Sequence, residues 1–199
     1  MPKPDNNNNR LITEEDYIYN YINTTKVDKI PITAIYKITQ SVNDTNFNLN
    51  NYDNRYLFFH GTKVENVIGI LSQGLKISPV QAINTGKSYG TGIYLSDNFT
   101  CSYGYCHSLF SMNLMNNLYN NYKSKKNKCF MFMAEVAVGN IGQNADTYVV
   151  NMSMNFNDYF VTKEGYRIFK NVNRINYGSG IIVAHDETNV RIKYLIEIN

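Results

Sequence analysis

Along "TEEDYIYNYIN" the apolar residues Tyr17, Ile18, Tyr21 and Ile22 recur on one face of a helical wheel, with polar residues between them. Thr13 stands ahead as an N-cap and acids fill the first turn, so a short amphipathic helix is predicted. "IPITAIYKIT" and "RYLFFH" switch to β-branched and aromatic runs and read as strands, and the Asn-rich "NDTNFNLNNYDN" between them reads as a loop. At Thr62-Lys63-Val64-Glu65 the pattern changes back. A capping box, an apolar stripe of Val64, Val67, Ile68 and Leu71, and a stop at Gly74 predict a second helix just after His60.

Beyond that helix, "ISPVQAINTGKSYGTG" is a long loop, "IYLS" a short strand, and a further helix opens at Asp97. "KCFMFMAEVAVG" is a buried strand by its apolar run. Residues 140–178 are Asn-rich and irregular, with "DTYVV" as a short strand, and "GIIVAHD" and "VRIKYLIEI" close the chain as two more. Strands outnumber helices and seldom alternate with them, which favours an α+β domain on antiparallel sheet over a doubly wound one. The polar, proline-containing residues 1–10 are expected to be a disordered tail, and 11–199 a single domain without internal repeats.

Composition adds limits. The chain has 199 residues and is 43% hydrophobic, enough for one core. A net charge of +3 is far from the clustered basic surface of a dedicated nucleic-acid binder, and the one basic run, Lys123 to Lys128, reads as a solvated loop. Three cysteines, Cys101, Cys106 and Cys129, form no CxxC pair, so neither a disulfide framework nor a metal site is expected; Cys101, Cys106 and His107 lack a fourth ligand. No signal-peptide core and no transmembrane-length stretch occurs, so an intracellular monomer away from membranes is expected.

Taken singly, the candidate chemical residues are bland. A histidine after "YLFF" reads more readily as a strand-end residue than as a functional group, "GTG" lacks the third glycine of a dinucleotide fingerprint, and Tyr94, Tyr103 and Tyr105 suit a core. Their order says more. His60-Gly61-Thr62, Asn66, "GILSQGLKISP", "TGKSYGTGIYLSD" and "CSYGYCH", followed by "IIVAHDETNVRIKYLIEI", resemble the catalytic domain of the poly(ADP-ribose) polymerase family, the diphtheria-toxin-like ADP-ribosyltransferases. "DYIYNYINTTK" and "ITAIYKI" resemble the stretch ahead of the histidine in that family.

The resemblance implies an ADP-ribosyltransferase fold, two antiparallel β-sheets around a cleft for NAD+, with NAD+ as co-substrate and no metal. It implies that the backbone of Gly61 and the hydroxyl of Ser102 hold the nicotinamide carboxamide. Tyr94 and Tyr105 would sandwich the ring, and His60 would donate to the adenosine ribose hydroxyls with Thr62 and Asn66 nearby. Lys76 would meet the adenine side. The catalytic set would be His60, Tyr94 and Ile181.

Ile181 is a departure. Polymerases of the family carry a glutamate there, and no Asp or Glu lies between Glu164 and His185 in this chain, so a shift of register finds none either. The His60, Tyr94, Ile181 set resembles the family's mono-ADP-ribosyltransferases, and little sequence precedes the first strand to form a helical regulatory subdomain. The expected function is transfer of one ADP-ribose to a protein side chain. The alternatives are an inactive NAD+- or ADP-ribose-binding module, an NAD+ glycohydrolase, and modification of a nucleic-acid end.

Overall fold

The computed structural model describes residues 12–26, 29–39, 41, 44–45, 47, 54–77, 89–106, 128–138, 147–150, 158–170 and 180–199. The expected amino-terminal tail, His107, the basic run short of Lys128, and most of the loops at 77–90 and 140–178 lie outside the described residues.

Helix α1 (Glu14–Thr25) begins as expected, because Thr13 accepts from the Asp16 amide while the Asp16 carboxylate accepts from the Thr13 amide at 2.7 Å. Its Ile18, Tyr21 and Ile22 are buried, and Tyr21 packs on Phe59 with ring centroids 4.7 Å apart. Each such side chain contributes about 1.5–3 kcal/mol of burial.

The strands are β1 (Ile32–Lys37), β2 (Arg55–Gly61), β3 (Ile93–Ser96), β4 (Cys129–Ala137), β5 (Thr147–Val150), β6 (Tyr159–Val161), β7 (Arg167–Phe169), β8 (Ile181–Ala184) and β9 (Val190–Ile198). Among the described residues they form one nine-stranded sheet in the order β1-β9-β4-β2-β3-β8-β5, with β7 joining β2 and β6 joining β7. The architecture is α+β as expected, but the two separate antiparallel sheets are not. β2 pairs with β7 in parallel, and the halves β1-β9-β4-β2 and β3-β8-β5 are joined through the single pair Phe59–Ser96.

The β6–β7 hairpin falls in a stretch expected to be irregular. Its turn is closed by Thr162 and Tyr166, whose main chains pair at 2.9 Å, and Gly165 takes the positive φ of 83°.

The second helix differs more. Val64–Asn66 is a 3-10 turn without a side-chain cap, so the Thr62–Glu65 capping box does not form, and α2 covers only Val67–Gln73. The expected stripe is not a buried face: Val67 is buried, whereas Val64, Ile68 and Leu71 are 49%, 74% and 38% exposed.

Helix α3 spans Phe99–Cys106, starting later than Asp97, which is fully buried ahead of it. Asn98 caps it, its Oδ1 accepting from the Cys101 amide at 3.1 Å. The end of α1 meets this start: Thr25 Oγ1 accepts from the Phe99 amide at 3.2 Å, and the Thr25 carbonyl accepts from the Thr100 hydroxyl at 3.0 Å.

Within β4, Glu135 is fully buried between two arginines, Arg55 at 2.6 Å and Arg191 at 2.7 Å. Among the described residues no helix is long and apolar enough to cross a membrane.

Candidate active site at the split between strands 2 and 3

β2 carries the buried run Tyr56 to Phe59 into the centre of the sheet, where it pairs with β4 as far as Gly61. Its partnership with β3 is confined to Phe59–Ser96, so the two strands part at His60. The His60 ring occupies the parting. Its Nδ1 lies 2.8 Å from the Tyr94 carbonyl, and only a protonated Nδ1 donates to a carbonyl. Burial lowers the His60 pKa, outweighing the bond to Tyr94, so the ring is neutral. A neutral ring with its proton on Nδ1 has a bare Nε2, which accepts hydrogen bonds and cannot donate them.

Gly61 is required by α3. A Cβ there would lie 1.7 Å from the Ser102 carbonyl oxygen and 3.1 Å from Tyr105 Cβ. The absent side chain is what lets α3 approach β2 and bring Ser102 and Tyr105 beside Gly61. Ser102 is buried, and its hydroxyl donates to the Phe59 carbonyl at 3.1 Å, so in this rotamer its oxygen is an acceptor toward any ligand at Gly61.

Two half-buried tyrosines, Tyr94 and Tyr105, lie near one another. Burial raises the Tyr105 phenol pKa, and proximity to Cys101, Tyr94 and Tyr89 adds to it. Tyr94 is half-buried on β3; its hydroxyl donates to the Gly90 carbonyl at 2.7 Å and accepts from the Tyr89 amide at 3.0 Å. The "GTG" stretch thus has a structural explanation. Gly90 adopts φ 91°, and a Cβ on Gly92 would lie 2.5 Å from Val183 Cγ1 and 2.8 Å from the Ala184 carbonyl.

The remaining expected residues divide. Thr62 is buried next to Gly61, and Asn66 donates to its Oγ1 at 3.2 Å. Lys76 is engaged in an ion pair: its ammonium lies 2.8 Å from Glu187, whose other oxygen accepts from the Ile77 amide at 2.8 Å. Ile181 opens β8, half-buried and opposite Ser96, as Val183 is opposite Tyr94. Opposed residues share a face, so Tyr94, Ser96, Ile181 and Val183 lie on one side of this ladder.

Sequence reasoning did not single out Tyr89, whose amide bonds to Tyr94, or His185, which bonds to the turn ahead of β3, nor the pairing of the Cys106 and Cys129 thiols. Cys106 closes α3 and donates to the Phe130 carbonyl at 3.3 Å. Its hydrogen bond with Cys129, then burial, push its pKa well up, against a counteracting bond from the Thr62 backbone. Cys106 and Cys129 are far apart in sequence and carry no spacing signal.

A family model described as the poly(ADP-ribose) polymerase catalytic domain matches residues 13–199. Poly(ADP-ribose) polymerase 1 of Xenopus laevis is 35% identical over 107 residues, covering 53% of this chain and 10% of that protein. Poly(ADP-ribose) polymerase 2 of Arabidopsis thaliana is 36% identical over 80 residues, covering 40% and 13%. Over the 55 residues shared with poly(ADP-ribose) polymerase 1 of Gallus gallus, identity reaches 49%, covering 28% of this chain and 5% of that one. These matched segments amount to 5–13% of the curated relatives' length.

Proposed function

The chain belongs to the poly(ADP-ribose) polymerase catalytic-domain family through residues 13–199, and from that membership we propose that it moves a single ADP-ribose from NAD+ to a protein side chain. The split between β2 and β3 is the observation that carries the reading. It gathers a hydrogen-bond acceptor at His60, a close helix–strand approach at Gly61, a buried hydroxyl at Ser102 and two aromatic rings at its mouth.

These groups suit NAD+. Tyr94 and Tyr105 offer flat faces to the nicotinamide ring, the Gly61 backbone and Ser102 Oγ address its carboxamide, and His60 Nε2 receives a ribose hydroxyl proton. Thr62 and Asn66 flank the ribose. Lys76 reaches the adenine side only by leaving Glu187.

In the reaction the bond between the ribose C1′ and the nicotinamide nitrogen breaks. Nicotinamide leaves with the electron pair, and the resulting oxocarbenium-like carbon is captured by an acceptor oxygen; a hydroxyl acceptor gives up its proton in this step, whereas a carboxylate has none to lose. The protein's share is orientation and exclusion of water, since the cation needs no protein nucleophile.

Ile181 supports a single transfer. Its apolar side chain cannot accept the proton of an incoming ADP-ribose hydroxyl, so activation falls to a carboxylate acceptor that needs none. Water in place of the acceptor gives NAD+ hydrolysis as the side reaction.

The variant Ile181→Glu tests this. Ile181 is half-buried beside Ser96, so a carboxylate there keeps contact with solvent and the fold tolerates it. A charge-assisted hydrogen bond of about 1.5–3 kcal/mol to a ribose hydroxyl raises nicotinamide release, while a gel shows no long polymer. A variant that releases nicotinamide no faster than the parent, with an unchanged melting curve, contradicts the placement of Ile181 beside the ribose.

A further inference from the structure

We propose that His185 is a positioning residue for the aromatic wall of the cleft, holding the turn from Tyr89 to Gly92 so that Tyr94 stands in place for the nicotinamide ring; the assignment rests on the reading of the cleft as an NAD+ site. His185 follows β8 directly, and its Nδ1 lies 2.7 Å from the Thr91 carbonyl, to which it donates. The ladder explains the reach. Ala184 is opposite Ile93, so His185 comes level with Gly92, whose missing side chain leaves β8 in contact with the turn. A Cβ on Gly92 would come within 3.3 Å of His185 Nδ1 itself.

The same turn is fastened from the other side. Tyr94 donates to the Gly90 carbonyl at 2.7 Å and accepts from the Tyr89 amide at 3.0 Å. Thr91 is thus held from β8, and its two predecessors are held from β3. The Tyr94 hydroxyl makes both of these bonds only while the turn keeps this shape. Without the His185 bond, the turn at Gly90, with its φ of 91° and open space around its Cα, is fastened from one side only.

His185 is exposed and lies at a strand end, so its effect on the site can be separated from its effect on the fold. Three substitutions discriminate. Asn offers an amide N–H where the imidazole Nδ1–H stood, Asp offers an acceptor of the same shape, and Ala offers nothing. NAD+ affinity by calorimetric titration, KM and kcat for nicotinamide release, and amide hydrogen exchange of residues 89–94 are measured on each.

His185→Ala is expected to raise KM about three- to tenfold, the worth of one hydrogen bond, with kcat within about twofold of the parent and the melting temperature nearly unchanged. His185→Asp should match or exceed that loss, since it sets a negative charge against the Thr91 carbonyl, and His185→Asn should restore KM. Faster exchange at residues 89–94 should accompany the raised KM.

A His185→Ala protein with parental affinity and KM overturns the assignment while leaving the NAD+ site standing. So does failure of Asn to restore KM, or a lowered kcat and melting temperature at constant KM, which marks a purely structural bond. A parent protein that binds no NAD+ overturns the site reading and this assignment together.

Discussion

Burial keeps the His60 imidazole neutral, and that has a consequence in solution. Its folded pKa lies below the ordinary 6.5, so below pH 6.5 the unfolded chain binds the proton more readily than the folded one. Stability therefore falls as pH drops through 6.5 and levels off below the folded pKa. Glu14 is shifted the same way for another reason: burial alone would raise its pKa, but hydrogen bonds from Tyr194, Lys37 and Tyr166 together outweigh it. Its contribution is present above the usual carboxylate range and is lost at lower pH. A melting temperature that declines between pH 7 and pH 5.5 in the parent, and declines less in His60→Gln, is the expected outcome. Equal declines would place the titration elsewhere.

Gly61 and the cysteines give two further tests at this scale. Because a Cβ at Gly61 meets α3 backbone and not only ligand, even Gly61→Ala should lower stability, by about 1–3 kcal/mol, together with loss of NAD+ binding. Tyr105→Ala, at the mouth, should instead weaken NAD+ binding by about 0.5–1.5 kcal/mol with a smaller change in melting. Among the cysteines, iodoacetamide at pH 8 should label half-buried Cys101 before Cys106 and Cys129, which are buried and hydrogen-bonded to one another. Labelling of Cys106 first in the native protein would contradict the packing of α3 on β4.

Among the elements, β2, which carries His60 and Gly61, and its partner β4 depend on an ionic group that their apolar sequence hides. Glu135 sits in the run "FMFMAEVAV" and is fully buried between Arg55 and Arg191, with Arg191 directly opposite it on β9. Removing the carboxylate leaves two guanidinium groups without their shared partner. Glu135→Ala should cost about 3–5 kcal/mol, read as a lower urea midpoint. Removing the exposed ammonium of Lys128, which pairs with Glu197 at the sheet's margin, should change the midpoint little. Equal midpoints for Glu135→Ala and the parent would contradict the burial of this triad.

The elements also show what the pattern of residues could reveal. α1, β2, β4 and β9 follow from periodicity and capping, because each buries a continuous face. β6 and β7 have only three residues each, too few for alternation to stand out among asparagines, although "TKEGY" held the turn signal. The α2 stripe failed for the opposite reason. Its spacing is helical, but nothing in a local pattern says whether a neighbouring element covers it, and Ile68 is 74% exposed.

For the whole molecule, the order of motifs picked out residues that the structure brings together: His60, Gly61, Tyr94, Ser102 and Tyr105 lie about the split in the sheet, with Thr62 and Asn66 beside it. What the motifs left open is how those groups spend their hydrogen bonds. The His60 proton on the Tyr94 carbonyl, the Ser102 hydroxyl on Phe59 and the Lys76 ammonium on Glu187 join segments distant in sequence, so they depend on tertiary placement. The same holds for the single Phe59–Ser96 pair that makes one sheet of two halves.

The central claim is that this split binds NAD+ and that the protein adds one ADP-ribose per acceptor site, Ile181 supplying no base for a second transfer. The most direct test incubates the parent protein, with a mixture of candidate acceptor proteins, with NAD+ labelled in its adenosine half, and resolves the products by mass and on a denaturing gel. Discrete adducts of one ADP-ribose per modified side chain are predicted, matched by released nicotinamide and reduced about two- to tenfold in Tyr105→Ala at subsaturating NAD+. A ladder of labelled polymer from the parent protein would contradict it.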